Sequence, residues 1–151
     1  MTPGPEGIAE VAVGALAVHD GRVLLVRRAR PPGAGMWSLP GGRVRFGEEL
    51  HEAVVREVVE ETGMEVVVER FLGWVERIDR GAEPHHFVIL DFLVDILDPT
   101  APPRPGDDAA AVTWFALEEL SGVPLVDGLH DFLLDHGVLD ATEPLLPPER
   151  P

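Results

Sequence analysis

A short acidic segment that ends in a glycine constrains this chain more than any other feature. Residues 48–62 contain neither Pro nor Gly, so they predict a helix that Gly63 terminates. On that helix Glu57, Glu60 and Glu61 occupy positions i, i+3 and i+4, so their side chains point the same way. Each like-charge pair costs roughly 0.2–0.5 kcal/mol. A hard cation such as Mg²⁺, which prefers carboxylates, water and substrate phosphates, would reverse that cost.

The same residues belong to a longer pattern. Residues 42–64 match G-x5-E-x7-R-E-U-x-E-E-x-G-U at every fixed position, where U is a bulky aliphatic residue. This pattern resembles the Nudix box. Residues 37–41 lead into it as in many Nudix members, and residues 112–115 resemble the late strand of the family. The resemblance covers roughly residues 8–134. It implies a mixed α/β fold, an α/β/α sandwich with a mixed β-sheet and a loop-helix-loop catalytic motif.

Apolar runs and turn signals predict the remaining elements independently. Asp20-Gly21 is a tight-turn dipeptide between two apolar runs, which indicates a hairpin. Residues 40–42 predict a turn, and residues 98–106 predict a loop because they contain four prolines. Extended segments are predicted at residues 9–19, 22–29, 37–39, 64–78, 87–97 and 112–115, and helices at residues 48–62 and 126–137. This order favours a mixed sheet covered on two faces.

Spacing within these elements indicates which side chains face inward. Asp91 and Asp95 lie four residues apart on one strand face, where we expect water or a cleft. The apolar stripes of the two helices predict buried positions at Leu50, Val54 and Val58 in the first helix, and at Leu129, Phe132, Leu133 and His136 in the second.

Composition narrows the classes of function. The 27 acidic residues outnumber the 12 basic ones, for a net charge of −15, which opposes binding to a nucleic acid duplex. The absence of Cys excludes disulfides and thiolate catalysis. No long apolar run or signal peptide is found, so we expect a cytoplasmic protein without membrane contact. The length of 151 residues predicts one domain at residues 8–140, with a flexible N-terminus at 1–7 and a Pro-rich tail at 141–151.

The Nudix resemblance implies roles for the acidic helix. Glu57 and Glu61 are implied as the principal ligands of Mg²⁺, with Mn²⁺ as the alternative ion, and Glu60 as a further ligand or the catalytic base. Arg56 is implied to orient the carboxylates through its planar fork, and Glu48 to support Arg56 or a second ion. The backbone carbonyl of Gly41 is a further candidate ligand.

Candidate residues outside the helix complete the predicted site. The family often takes a fourth carboxylate from a downstream loop, where we prefer Asp108 to Asp107. Arg27, Arg28 and Arg30 end the first hairpin close to the box and could grip phosphate or ribose, although we expect two of the three to be surface charges. Phe46, an aromatic that could stack on a base, and His86 are the remaining candidates for contact with the substrate.

The resemblance implies hydrolysis of a nucleoside diphosphate linked to another group X, as a monomer or homodimer. We rank ADP-ribose or a related nucleotide sugar first, although Arg80 stands where many ADP-ribose pyrophosphatases have Pro. A nucleoside triphosphate of the oxidised-dGTP type ranks second. The absence of Tyr disfavours dinucleoside polyphosphates, and the charge of −15 disfavours an RNA cap. A nucleotide sensor without catalysis is the alternative from another class, but no box carboxylate is missing.

Overall fold

The computed structural model describes residues 7–139, which form seven strands, two α-helices and one 3₁₀ helix. In chain order these are β1 (Glu10–His19), β2 (Arg22–Arg28), β3 (Trp37–Ser38), β4 (Gly41–Arg43), α1 (Leu50–Thr62), β5 (Val66–Asp79), β6 (His85–Ile96), β7 (Ala109–Ala116), the 3₁₀ helix (Leu117–Gly122) and α2 (Leu129–Asp135). The proposed tail at 141–151 lies outside the described residues, as do residues 1–6 and Asp140. No helix within residues 7–139 is both long enough and apolar enough to cross a membrane.

The strands form one mixed sheet with helices on both faces. Its order is β3-β2-β1-β6-β5, with β4 also pairing β1 and β7 also pairing β2. The β1 and β6 strands are parallel, whereas β5 and β6 are antiparallel as predicted. Asp20 and Gly21 adopt positive φ angles of 55° and 73°, so β1 and β2 form the predicted hairpin. The predicted α/β/α sandwich is therefore confirmed.

Alternation along β1 separates two hydrophobic cores. Val13 and Ala15 face α1, where they pack with Val54 and Val58. Leu16 points to the opposite face and belongs to the core that holds α2. Because successive side chains of a strand point to opposite faces, one central strand supplies both layers.

The helix α1 starts two residues later than predicted and ends where predicted. Glu49 keeps an extended backbone and acts as the N-cap, and its N–H donates to the Glu52 carboxylate at 3.0 Å. At the other end Gly63 adopts a left-handed φ of 73° and donates to the Val59 carbonyl at 2.9 Å. Val54 and Val58 are fully buried, and Leu50 packs half-buried against the same core.

Two other predictions of local structure differ from the structure, and one element was not predicted. Gly41 and Gly42 lie in strand β4 rather than in a turn, because the bare Gly41 lets β4 approach β1: a Cβ there would lie 2.0 Å from the Val13 carbonyl oxygen. Strand β7 begins at Ala109 rather than at residue 112, since this segment continues the pairing with β2. The 3₁₀ helix was not predicted.

The second helix is also shorter than predicted. It begins at Leu129 rather than at residue 126, because Gly128 before it has a left-handed φ of 85°. Leu129, Phe132 and Leu133 are buried as predicted. His136 was predicted on the inner side of this helix, but it follows the last turn and is exposed; its ring lies 4.4 Å from that of Phe132 between centroids and borders Gly73 of β5.

Candidate active site

The guanidinium of Arg56 lies at the centre of the acidic cluster and uses its whole planar fork. Its Nε and Nη2 donate to the two carboxylate oxygens of Glu48 at 2.7 and 2.8 Å. Its Nη1 donates to Glu57 at 2.8 Å and to Glu60 at 3.2 Å, and Nη2 also donates to the Arg43 carbonyl at 3.0 Å. The bond from Arg56 is the main reason that the pKa of Glu48 falls to about 2. Arg56 therefore joins β4, the loop after it and α1.

Glu57 and Glu61, one helical turn apart, face the glycines of β4. The backbone N–H of Gly41 donates to Oε1 of Glu61 at 3.0 Å. A Cβ on Gly42 would lie 2.5 Å from the Glu57 carboxylate, so only glycine leaves room for that carboxylate here. The strand and the helix thus hold two carboxylates side by side.

Burial makes these two carboxylates unusually weak acids. The pKa of Glu61 rises to about 7, mainly because of burial and further because of the charge of Glu57, whereas Gly41 and Arg28 act in the opposite direction. Burial also raises the pKa of Glu57, although the bond from Arg56 opposes this. Two neighbouring carboxylates that lose hydration without full compensation favour a bound cation.

The donor atoms at this position suit a hard metal ion. Within residues 7–139 no three His, Cys, Asp or Glu side chains are grouped as a ready metal site. Glu60 forms ion pairs with Arg56 at 3.2 Å and with Arg45 at 3.4 Å, and the Glu60 side chain is 47% exposed. Glu61 remains bonded to the backbone N–H of Gly41, and Glu57 lies against Gly42 beside it. Carboxylate and carbonyl oxygens are the ligands that Mg²⁺ and Mn²⁺ prefer, so the residues present fit such an ion.

The proline-rich loop delivers Asp108 to this end of α1. The Gly106 N–H donates to the Glu61 carbonyl at 3.2 Å, which fixes the loop against the last turn of the helix. Asp108 follows two residues later, and its charge contributes to the raised pKa of Glu61. Its own carboxylate pairs with Arg30 at 3.4 Å, and both side chains are largely exposed. Asp107 is exposed as well.

The arginines that end the first hairpin occupy three different environments. Arg28 is half-buried, donates to the Pro32 carbonyl, and lies close enough to Glu61 for its charge to lower the pKa of that carboxyl. The Arg27 guanidinium instead lies over the Trp37 ring, 5.8 Å from its centre. With Arg30 exposed, Arg28 is the arginine of the three that approaches the carboxylates from within the protein.

Two residues predicted to contact substrate lie apart from the carboxylates. Phe46 is fully exposed in the loop between β4 and α1, so it packs against none of them. His86 lies on β6, where its Nε2 is 3.0 Å from the Glu76 carboxylate. Within the described residues, neither Phe46 nor His86 contacts a carboxylate of the acidic cluster.

The face of the sheet opposite to α1 carries two charged residues that the sequence analysis did not assign to the site. Asp91 was expected to face water or a cleft, and Arg77 was not considered. Asp91 is 5% exposed and Arg77 is half-buried, on neighbouring strands. Asp95, by contrast, is exposed. The sequence signal that could have identified them is a charged residue within each of two strands that are otherwise rich in apolar residues.

Comparisons with known proteins agree with this geometry. The model of the NUDIX domain family matches residues 9–134. An ADP-ribose pyrophosphatase of Methanocaldococcus jannaschii is 38% identical over 73% of this chain and 63% of its own. A putative 8-oxo-dGTP diphosphatase of Mycobacterium tuberculosis is 45% identical over 38% of this chain and 41% of its own. The chain thus spans less than two thirds of the length of these curated relatives.

A solved structure supports the same assignment. The crystal structure of a MutT NUDIX hydrolase from Burkholderia pseudomallei is 36% identical, with a TM-score of 0.71, and the match covers 83% of this chain and 96% of that one. The family model covers most of the chain, and the complete box forms the loop, helix and turn around Arg56. The chain therefore belongs to the Nudix hydrolase family.

Proposed function

We propose that this protein is a metal-dependent pyrophosphohydrolase that cleaves the internal pyrophosphate bond of a nucleoside diphosphate linked to another group. ADP-ribose or a related nucleotide sugar is the favoured substrate. The observation that carries this proposal is the pair of half-buried carboxylates, Glu57 and Glu61, with the cation of Arg28 nearby. The name of the M. jannaschii relative supports the choice of substrate.

Each residue of the cluster has a role in this reaction. Mg²⁺ or Mn²⁺, when bound, supplies charge neutralisation of the phosphate oxygens and a lower pKa for the attacking water. Glu57 and Glu61 would hold the ion, with the Gly41 carbonyl as a further ligand. Glu60 serves as another ligand or as the base. Arg56 positions Glu57 through the hydrogen bond of 2.8 Å.

The remaining residues act on substrate or tune the site. Glu48 keeps Arg56 in place through two hydrogen bonds. Arg28 binds a phosphate, because its charge already acts on Glu61. Arg27, Arg30, Phe46 and His86 have less support as substrate contacts, since none approaches the half-buried carboxylates as Arg28 does. Asp108 is a candidate ligand that approaches from the loop, after release from Arg30.

A nucleoside triphosphate of the oxidised-dGTP type is the second candidate substrate. The relatives with that name match over a shorter part of this chain than the M. jannaschii relative does. A nucleotide sensor that does not hydrolyse its ligand is the alternative of another class. The complete set of carboxylates around Arg56 argues against it, because a sensor has no need of them.

We also propose the organisation of the whole chain. Residues 8–140 would form a single domain, flanked by a flexible N-terminus at 1–7 and a tail at 141–151; the family model over residues 9–134 supports the domain. We expect a cytoplasmic monomer or homodimer that acts on small nucleotides rather than on a nucleic acid duplex.

A nucleotide panel with Mg²⁺ tests the proposed reaction. In ¹⁸O-labelled water, ADP-ribose should give AMP and ribose 5-phosphate, whereas a triphosphate should give a monophosphate and pyrophosphate, each identified by mass spectrometry. The chain has no Lys and no Walker loop to hold a terminal phosphate, so orthophosphate should not be the primary product. Turnover that persists in excess EDTA, with trace metal excluded by elemental analysis, would contradict the metal dependence.

Matched variants test the assignment of the carboxylates. Glu61→Gln should keep the fold and lower kcat by about 100-fold or more, because the ligand loses its charge and keeps its shape. Glu65→Gln, an exposed position just after α1, serves as the control with normal kcat. Asp108→Asn should lower kcat less than Glu61→Gln, and Asp107→Asn least. A normal kcat in folded Glu61→Gln protein would remove this residue from the site.

A further inference from the structure

Asp91 is buried without a partner. Among residues 7–139 it is the one charged residue with less than a tenth of its surface exposed, at 5%. Within those residues its side chain makes no hydrogen bond and no ion pair. Yet no completely enclosed side-chain oxygen or nitrogen of the described part lacks a partner. The Asp91 oxygens must therefore open onto accessible space, and a buried polar group without a partner is rare in a native protein.

Glycines on both neighbouring strands create that space. Asp91 on β6 is the register partner of Gly14 on β1 and of Gly73 on β5. A Cβ on Gly14 would lie 2.1 Å from the Asp91 Oδ1, so the carboxylate lies over the bare backbone of Gly14. The two glycines leave a flat floor, the sheet groove, with Leu39 as one wall and His136 as the other.

A second charge faces this groove without neutralising it. Arg77 lies on β5, four residues beyond Gly73 and on the same face. Its charge lowers the pKa of Asp91, but burial dominates and raises that pKa to about 7. No Arg77 nitrogen lies within 4.0 Å of an Asp91 oxygen, so the two side chains do not form an ion pair. The Asp91 carboxylate, an acceptor, and the Arg77 guanidinium, a donor of opposite charge, thus face the same groove without contact between them.

The sheet groove continues to the acidic cluster. Gly14 pairs with Gly41 on its other side, and the Gly41 N–H holds Glu61. Neighbouring strands lie about 4.8 Å apart, so Asp91 and Gly41 are about 10 Å from each other. The charge of Arg28 acts on both Glu61 and Arg77. A nucleoside whose phosphates lie at Glu61 can therefore extend its base along the sheet groove as far as the Asp91 carboxylate.

We propose that Asp91 is a specificity-determining residue that accepts a hydrogen bond from an amino group of the substrate's nucleobase. This inference rests on the proposed function, which supplies a nucleotide at Glu57 and Glu61. A ligand group that donates to Asp91 favours its ionised form, which only accepts hydrogen bonds and repels phosphate, so the missing partner is a donor on an uncharged part of the ligand. A flat floor made by glycines suits a planar ring better than a puckered sugar. Arg77 can donate to a ring acceptor of the same base.

Nucleotides that differ in one amino group test the proposal. The pairs are ADP-ribose with inosine diphosphate ribose, and dGTP with dITP. Kd is measured by calorimetry with Mg²⁺, the unmodified active site and the α,β-methylene analogues of these nucleotides, which are not hydrolysed, so the readout does not need turnover; KM and kcat are measured with the nucleotides themselves. The amino-bearing member of at least one pair should bind about tenfold or more tightly, and adding Asp91→Ala should reduce that preference to about twofold or less.

Two further variants test whether the position of the Asp91 carboxylate matters: one displaces it, and the other is a control that leaves it in place. Gly14→Ala should also abolish the preference, because the new methyl group displaces Asp91. Asp95→Ala, exposed on the same strand, is the control that should keep it. The preference is expected in KM, with kcat for the inosine nucleotide unchanged within about threefold.

The outcomes distinguish the two proposals. If nucleotides are hydrolysed and Asp91→Ala leaves the preference intact, this inference is overturned while the hydrolase stands. The inference is also overturned if Asp91→Ala changes the preference between nucleotides with and without a ribose 2′-hydroxyl, but not the preference for the amino group. If no nucleotide is hydrolysed but the Asp91-dependent preference in Kd is present, the inference stands and the proposed reaction fails.

Discussion

Arg56 shows how one side chain organises a site. Its guanidinium binds Glu48 with two nearly parallel bonds, and one of its nitrogens reaches both Glu57 and Glu60. A lysine has a single ammonium and cannot reproduce this fork. The position of Glu57 therefore depends on the shape of the guanidinium as well as on its charge.

This geometry predicts the effect of Arg56→Lys. We expect kcat to fall about 10- to 100-fold, because a displaced ligand misplaces the reacting groups. Arg45→Lys is the matched control, since Arg45 is exposed and reaches Glu60 only at 3.4 Å. Steady-state kinetics with the best nucleotide of the panel measures both. Equal kcat in the two variants would show that the charge of Arg56 is sufficient.

The raised pKa of Asp91 predicts that the stability of the protein depends on pH. Its pKa is about 7 in the folded protein against an ordinary value of 3.8. The folded state therefore holds the proton more tightly than the unfolded state, so this group makes the protein less stable as pH rises from about 4 to 7. The physical cause is the loss of hydration of the ionised carboxylate.

Asp91→Asn removes that pH-dependent contribution without a change of shape. The Tm of the variant minus that of the unmodified protein should increase by roughly 5 °C between pH 5 and pH 8. Differential scanning calorimetry at both pH values measures this difference. The contributions of Glu57 and Glu61 cancel because both proteins contain them. A difference that shrinks with rising pH would contradict the assigned pKa direction.

At the scale of elements, the loop before β7 depends on one close approach. A Cβ on Gly106 would lie 1.8 Å from the Glu60 carbonyl oxygen of α1. Gly106→Ala should therefore push the loop away from the helix and destabilise the protein by about 1–3 kcal/mol. Urea denaturation measures the change in midpoint.

Gly122→Ala gives the matched comparison for that loop. Nothing lies within 4 Å of a Cβ at Gly122, so the unfolding midpoint should change little there. Displacement of the loop by Gly106→Ala should also weaken any role of Asp108, which follows it. Two variants of equal stability would show that the loop does not need the contact with α1.

Elements with strong local signals were predicted better than those that depend on pairing. The turn at Asp20-Gly21 and the stop at Gly63 were predicted because each needs a backbone that glycine adopts readily. Strand β4 was predicted as a turn, since two glycines and a proline give the same local signal as a loop. Only the neighbouring β1 makes this segment a strand. The start of α2 was likewise displaced by the left-handed Gly128.

At the scale of the whole molecule, the half-buried carboxylates Glu57 and Glu61 predict stabilisation by metal. Mg²⁺ at about 100 times its Kd should stabilise the fold by about 2.7 kcal/mol, which corresponds to several degrees in Tm. Glu61→Gln should lose most of this shift, because it removes one half-buried charge that the ion compensates. Thermal unfolding with and without Mg²⁺ measures it. The same shift in Glu61→Gln would place the ion elsewhere.

The sequence by itself determined the residues of the acidic cluster and the helix that carries them. Glu57 and Glu61 lie four residues apart, so on a helix they point the same way. The whole box pattern lies within residues 42–64, so it can be recognised from one continuous segment. The tertiary structure decided how far each carboxylate is exposed: β4 partly covers Glu57 and Glu61, whereas the arginines hold Glu60 at the surface. It also placed Asp91 between two distant glycines. Strand register and packing between segments far apart in the chain set these positions, and local sequence patterns do not encode them.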